Sequence, residues 1–290
     1  MHICLDKWYS IGMELEVELK EEYKEALSYI VEERQGVFDS TLDSQVLVKL
    51  GVNPKAFLRR MKQEEFLAPI QWGRYAVTSL VSAEHNPLYH GSEVLPSILL
   101  GRLNTPYYIS WHSALSHYHL LESASTTIYA ATIKPKAPLK SNIGNVHFVC
   151  LSKDKFFGYK KISVDGYQVC MATPEKALLD SFNIYGYSGA FPGVVSALII
   201  AKEKGIINGR KMAKFALQME SPSLNRRIGF LMDRYGIEGS EELLPYLGRT
   251  YAVPIKPGSY KKSEYGFNVN QKWRVVEDKL LLYTAENLKC

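Results

Sequence analysis

Four consecutive residues, Gly51-Val52-Asn53-Pro54, constrain this chain most. They lie between two short amphipathic runs, so one helix must stop there and another must start. Pro54 suits the first position of the new helix, because its missing N–H would be unpaired there anyway. Asn53 before it is the natural N-cap. Upstream, Asp39-Ser40-Thr41 offers cap oxygens for a short helix over 42–50. Downstream, the pattern predicts a helix from Pro54 to about Glu65. Ala56, Leu58 and Met61 face inward, with Lys55, Arg59 and Lys62 on another face at spacings of four and three. An earlier helix is predicted over 20–34, with Tyr23, Leu27, Ile30 and Val31 in one apolar stripe and Gly36 as its stop.

The next segment, 66–77, places Trp72-Gly73-Arg74 between two short β-prone runs, which predicts a hairpin. Two helices joined by a Gly-containing turn and followed by a hairpin form a winged helix-turn-helix. The charge pattern fits that reading. Residues 1–82 carry 10 basic and 13 acidic side chains, against 25 and 17 in 83–290. Within the acidic N-terminal third, the run 49–62 holds Lys49, Lys55, Arg59, Arg60 and Lys62 and no acid. A basic second helix can enter the DNA major groove and meet phosphates or guanine acceptors. Arg74, at the hairpin tip, would reach the backbone or the minor groove. Pro69 lacks an N–H for the ladder, so the wing is expected to be short or bulged. The alternative is a solvated basic face on a helix-turn-helix that contacts protein.

The remainder predicts α+β. A linker is expected at 81–93, helices over 95–103 and 110–120, and strands over 126–133 and 147–151. A hairpin over 157–172 turns at Asp165-Gly166, and Thr173-Pro174-Glu175 opens a helix. Helices follow over 193–204, 210–219 and 223–235, and strands return over 266–283. Enzyme classes find little support. The chain contains no P-loop, G-x-S-x-G or G-x-G-x-x-G motif. His117 and His119 are two apart, which on a helix points them in different directions. Glu175, Lys176 and Asp180 read most simply as a helix start with a local ion pair. The four cysteines are scattered without a C-x-x-C pair, which argues against a disulfide framework or a thiolate zinc site. No signal peptide or membrane-length apolar run is seen, so a cytoplasmic protein is expected.

Five blocks then carry a resemblance to a known family. They are 107–115 (YYISWHSAL), 156–161 (FFGYKK), 172–180 (ATPEKALLD), 225–231 (NRRIGFL) and 272–275 (KWRV). In this order behind a winged helix, the chain resembles the AbiEi family of antitoxin-type transcriptional regulators over roughly residues 20–285. The resemblance implies an N-terminal winged helix at 1–80, with 1–19 as an extension, and an α+β C-terminal domain at 94–290 with a mostly antiparallel sheet. It implies repression of the protein's own promoter through an inverted repeat in double-stranded DNA. It also implies counteraction of a nucleotidyltransferase-type toxin. The matching DNA-contact positions are Ser44, Gln45, Lys55, Arg59, Arg60, Lys62 and Arg74. Lys160, Arg226 and Arg227 would form a second DNA or partner surface, with a structural Arg pair as the alternative for the last two. No catalytic residue, cofactor or metal is expected, and no membrane partner. An orphan regulator, a protein-interaction module and, less favoured, a nucleic-acid-processing enzyme stand as alternatives.

Overall fold

A computed structural model describes residues 19–34, 36–71, 73–77, 100, 105–121, 125, 127–141, 144–164, 167–248, 252–257 and 268–288. The expected N-terminal extension, the linker and the Asp165-Gly166 turn therefore lie outside the described residues, as does nearly all of the helix expected over 95–103. The chain divides into two compact units. One comprises Met1–Leu103 with the segments Pro138–Val146 and Ser163–Val169; the rest belongs to the other.

Residues 19–77 of the first unit fold as a winged helix. Helix α1 (Glu21–Glu32) leads into strand β1 (Val37–Asp39), which the sequence reading missed. Helices α2 (Ser44–Lys49) and α3 (Pro54–Gln63) follow, then strands β2 (Leu67–Gln71) and β3 (Arg74–Val77). The sheet order is β1-β3-β2, with both pairings antiparallel. Helix α2 begins two residues later than expected, because the Asp39 carboxylate receives the Thr41 and Leu42 N–H groups and holds a turn there. The β2–β3 register slips between Pro69 and Gln71, the bulge expected of a proline that cannot donate. The core joins Ala26, Leu27 and Ile30 of α1 to Phe38, Leu47, Val52, Phe57, Met61, Leu67 and Val77. On α3 the buried anchors are Phe57 and Met61, with Leu58 half-buried. Ala56, expected inside, is only partly covered.

The larger part of the chain is α+β. Strands β4 (Tyr107–Ile109), β5 (Thr127–Thr132), β6 (Leu139–Ser141), β7 (Gly144–Cys150), β8 (Tyr159–Val164) and β9 (Tyr167–Ala172) form one sheet. Its order is β6-β7-β5-β4-β9-β8. Helix α4 (Trp111–His117) follows β4, and α5 (Pro174–Asn183), α6 (Phe191–Glu203), α7 (Gly209–Gln218) and α8 (Pro222–Tyr235) follow β9. Gly236 closes α8 in the left-handed conformation. A small sheet of β10 (Val253–Pro254), β11 (Asn268–Asn270) and β12 (Val275–Glu277) comes next. Strands were expected to run on to residue 283. Instead Asp278 caps the Leu281 N–H and starts a final helix, α9 (Lys279–Asn287).

The 107–115, 156–161 and 172–180 blocks meet at one buried polar cluster. Lys176 and Asp180, one turn apart on α5, form an ion pair with side chains 0% and 1% exposed. The Asp180 carboxylate also accepts from Tyr108 Oη at 3.1 Å and Ser110 Oγ at 2.8 Å. Its backbone carbonyl accepts from Trp111 Nε1 at 3.0 Å. The Lys176 ammonium lies 4.9 Å from the centre of the Phe157 ring and 5.3 Å from that of Tyr108. Burial pushes the Asp180 carboxyl up and the Lys176 ammonium down; each partner opposes that shift in the other. A Cβ on Gly158 would meet Lys176 Cβ and Phe215 Cε2 at 3.0 Å. The other two blocks also interlock: a Cβ on Gly229 would lie 2.0 Å from Trp273 Cζ3. Replacing Lys176 by Met strands a buried carboxylate, and is expected to cost about 3–5 kcal/mol of folding stability. Urea denaturation checks this; a loss below about 1 kcal/mol would contradict the pairing.

Candidate nucleic-acid interface

Asn53 sets where the basic helix starts. Its Oδ1 accepts from the backbone N–H groups of Lys55 and Ala56, each at 3.1 Å. Pro54 occupies the first helical position, so three of the four N–H groups that a helix leaves unpaired are dealt with locally. Phe57 and Met61 then fix the rotation of α3. Phe57 packs edge-on against Tyr23 at 5.3 Å and Phe38 at 6.0 Å between ring centres. With these anchors inward, Lys55, Arg59, Arg60 and Lys62 are all exposed.

The four cations are not equivalent. Arg60 is ion-paired to Glu64 one turn on, at 2.9 Å. Lys62 lies over the Tyr75 ring at 5.6 Å, which ties it to β3 and the wing. Lys55 and Arg59 make no ion pair or side-chain hydrogen bond to another described residue. Glu64 and Tyr75 were not singled out in the sequence, although the spacing of four between Arg60 and Glu64 was a readable signal. On α2, Gln45, Val48 and Lys49 are exposed on one face.

Two expected contacts are placed otherwise. Arg74 sits directly opposite Asp39 in the β1–β3 ladder, with Nε 3.6 Å from Asp39 Oδ2 and its side chain 20% exposed. At the turn end of the hairpin, where it pairs with Gln71, it braces β3 against β1. Ser44 is half-buried, and its one hydroxyl proton goes to the Ser40 carbonyl, so it has no proton left to donate to a phosphate. The wing is also tied down at Gly73, whose carbonyl accepts the Ser40 N–H at 2.8 Å. Gly73 has φ +73°, and a Cβ there would come within 2.9 Å of Ser40 Oγ.

The second surface proposed from the sequence separates. Lys160 on β8 is exposed. Arg226 is completely buried, and its guanidinium donates to the carbonyls of Leu247 at 2.9 Å and Gly248 at 3.1 Å. Arg227 is also buried, with Nε donating to the Pro254 carbonyl at 2.9 Å. Both arginines thus hold backbone beside α8, as in the structural alternative. Among the described residues no three His, Cys, Asp or Glu side chains gather to hold a metal. His112 is buried, and burial lowers its pKa. Glu175 is paired with Lys211 at 2.9 Å.

No protein-family profile and no curated protein matches the chain. Among solved structures it is similar to the crystal structure of the RV2827C protein from Mycobacterium tuberculosis. The TM-score is 0.63 at 13% identity, over 93% of this chain and 95% of that one. At this identity the likeness shows the α+β fold and nothing of activity. No described helix is long and apolar enough to cross a membrane.

The cap gives a direct check on the interface. Replacing Asn53 by Ala is expected to cost about 1 kcal/mol of folding stability, whereas Asn53→Asp, which keeps a capping oxygen, should cost little. Chemical denaturation of the two variants reads the difference; an Asn53→Ala variant as stable as the parent chain would show that the side chain does not cap α3.

Proposed function

We propose that this protein is a transcriptional regulator that binds double-stranded DNA through its winged helix. The observation that carries the reading is the outward face of α3. Lys55, Arg59 and Lys62 stand exposed at positions four and three apart, on a helix whose inward face is fixed by Phe57 and Met61. An α-helix of this kind fits the major groove, which is about 12 Å wide. Gln45 and Lys49 on α2 face solvent and suit contacts to the flanking backbone. The net acidity of the first 82 residues means that binding rests on a few placed cations and not on a general positive field. Two copies on an inverted repeat of the protein's own promoter would block polymerase there. The repeat and the counteraction of a nucleotidyltransferase-type toxin rest on the AbiEi resemblance alone. They make the protein an antitoxin-type repressor, acting in the cytoplasm without cofactor or catalysis.

The contrasting reading is a winged helix that binds protein, and salt separates the two. With about four to five phosphates neutralised per copy, log K should fall with log salt at a slope near −4 per copy. A gel-shift titration on the DNA upstream of the gene, at several salt concentrations, measures this. The Lys55→Ala/Arg59→Ala variant should lose specific retardation, with a slope shallower by at least about one per copy. No salt-sensitive shift, or a shift unchanged in the double variant, would overturn the DNA reading and favour the protein-interaction module.

A further inference from the structure

The side-chain contacts of α3 divide its cations into two classes. Arg60 is held by Glu64 at 2.9 Å, and Lys62 lies over Tyr75 on β3. A guanidinium that must leave a carboxylate to bind DNA gives up one charge-assisted bond for another. It also brings that carboxylate, Glu64, close to the phosphates. Arg59 carries neither cost among the described residues: its side chain is exposed and has no carboxylate partner. Its planar fork matches the two acceptors of guanine, O6 and N7, in the major groove. Lys55 lies one turn back on the same face, about 6 Å along the axis, or roughly two base-pair steps at about 3.4 Å each. The Asn53 side chain takes the Lys55 and Ala56 N–H groups, which leaves fewer free amides at this helix end for a phosphate.

We infer that Arg59 is the residue that reads sequence, by donating to a guanine in the major groove, whereas Arg60 grips phosphate and is restrained by Glu64. This rests on the DNA-binding reading above, and it assigns that reading its specificity determinant. The operator half-site must then contain a G·C pair recognised through Arg59. Glu64 acts as a brake on affinity that is blind to sequence.

The test is selection from a library of DNA duplexes with a random 20-bp core, using the full-length chain and the variants Arg59→Ala, Arg60→Ala and Glu64→Gln. Circular dichroism melting confirms that each variant is folded. The wild-type chain should enrich a motif containing an invariant G·C pair. Arg59→Ala should lose selection at that pair, which is worth between about fivefold and about 150-fold in relative affinity. Arg60→Ala should keep the motif while weakening all duplexes alike, with the salt slope reduced by about one per copy. Glu64→Gln should keep the motif and bind all duplexes more tightly. If a motif is enriched but Arg59→Ala keeps it, or Arg60→Ala loses it, the assignment is wrong while the DNA reading stands. If the wild-type chain enriches no motif, sequence-specific DNA binding itself fails, and the assignment with it.

Discussion

The burial of Phe57 and Met61, one turn apart on α3, is the contact on which the candidate interface depends. Removing a Phe side chain from water contributes about 1.5–3 kcal/mol, more than any single exposed cation on this helix gives or takes. Hydrophobic burial therefore decides which way α3 is turned, and charge follows. Once Phe57 is wedged against Tyr23 and Phe38, Lys55 and Arg59 are turned to solvent and Lys62 is turned toward Tyr75 on β3. The Asn53 cap sets the first residue of the helix, and the Gly73–Ser40 tie holds the wing beside the start of α2.

The second unit is organised by a different force. Lys176 and Asp180 are both removed from water, where an uncompensated charge is costly. They persist because Tyr108, Ser110 and two aromatic faces complete their surroundings. Arg226 and Arg227 follow the same logic, each meeting backbone carbonyls that would otherwise lie unpaired. The segments that look most like motifs in this chain thus converge on buried polar joints. Such joints tolerate little change, because every member leaves a partner stranded when it goes.

This explains which parts of the molecule were legible in the sequence. Helix boundaries marked by proline and cap residues were readable, because those signals act within a few residues: Asn53, Pro54 and Pro174 each stand where expected. The winged-helix order was readable from the break at 51–54 and the hairpin after it. Strand β1 was not, since three residues carry no periodicity and owe their conformation to β3. The last helix, α9, was read as strand because Leu280, Leu281 and Leu282 form a short apolar run, which period alone cannot assign. The surface roles of Arg226 and Arg227 were misjudged for a related reason. An Arg pair has the same sequence whether it faces solvent or carbonyls 20 to 30 residues away. The pairing of Arg74 was not legible because its partner, Asp39, lies on a strand that the sequence did not show.

The central claim is that α3 and the wing form the surface that DNA covers. Amide hydrogen exchange on the full chain, with and without a duplex carrying its upstream sequence, tests this most directly. The account expects slowed exchange across 54–63 and 67–77 on adding the duplex, with α5 and α8 unchanged. Unaltered exchange over 54–63, or protection confined to the second unit, would contradict it.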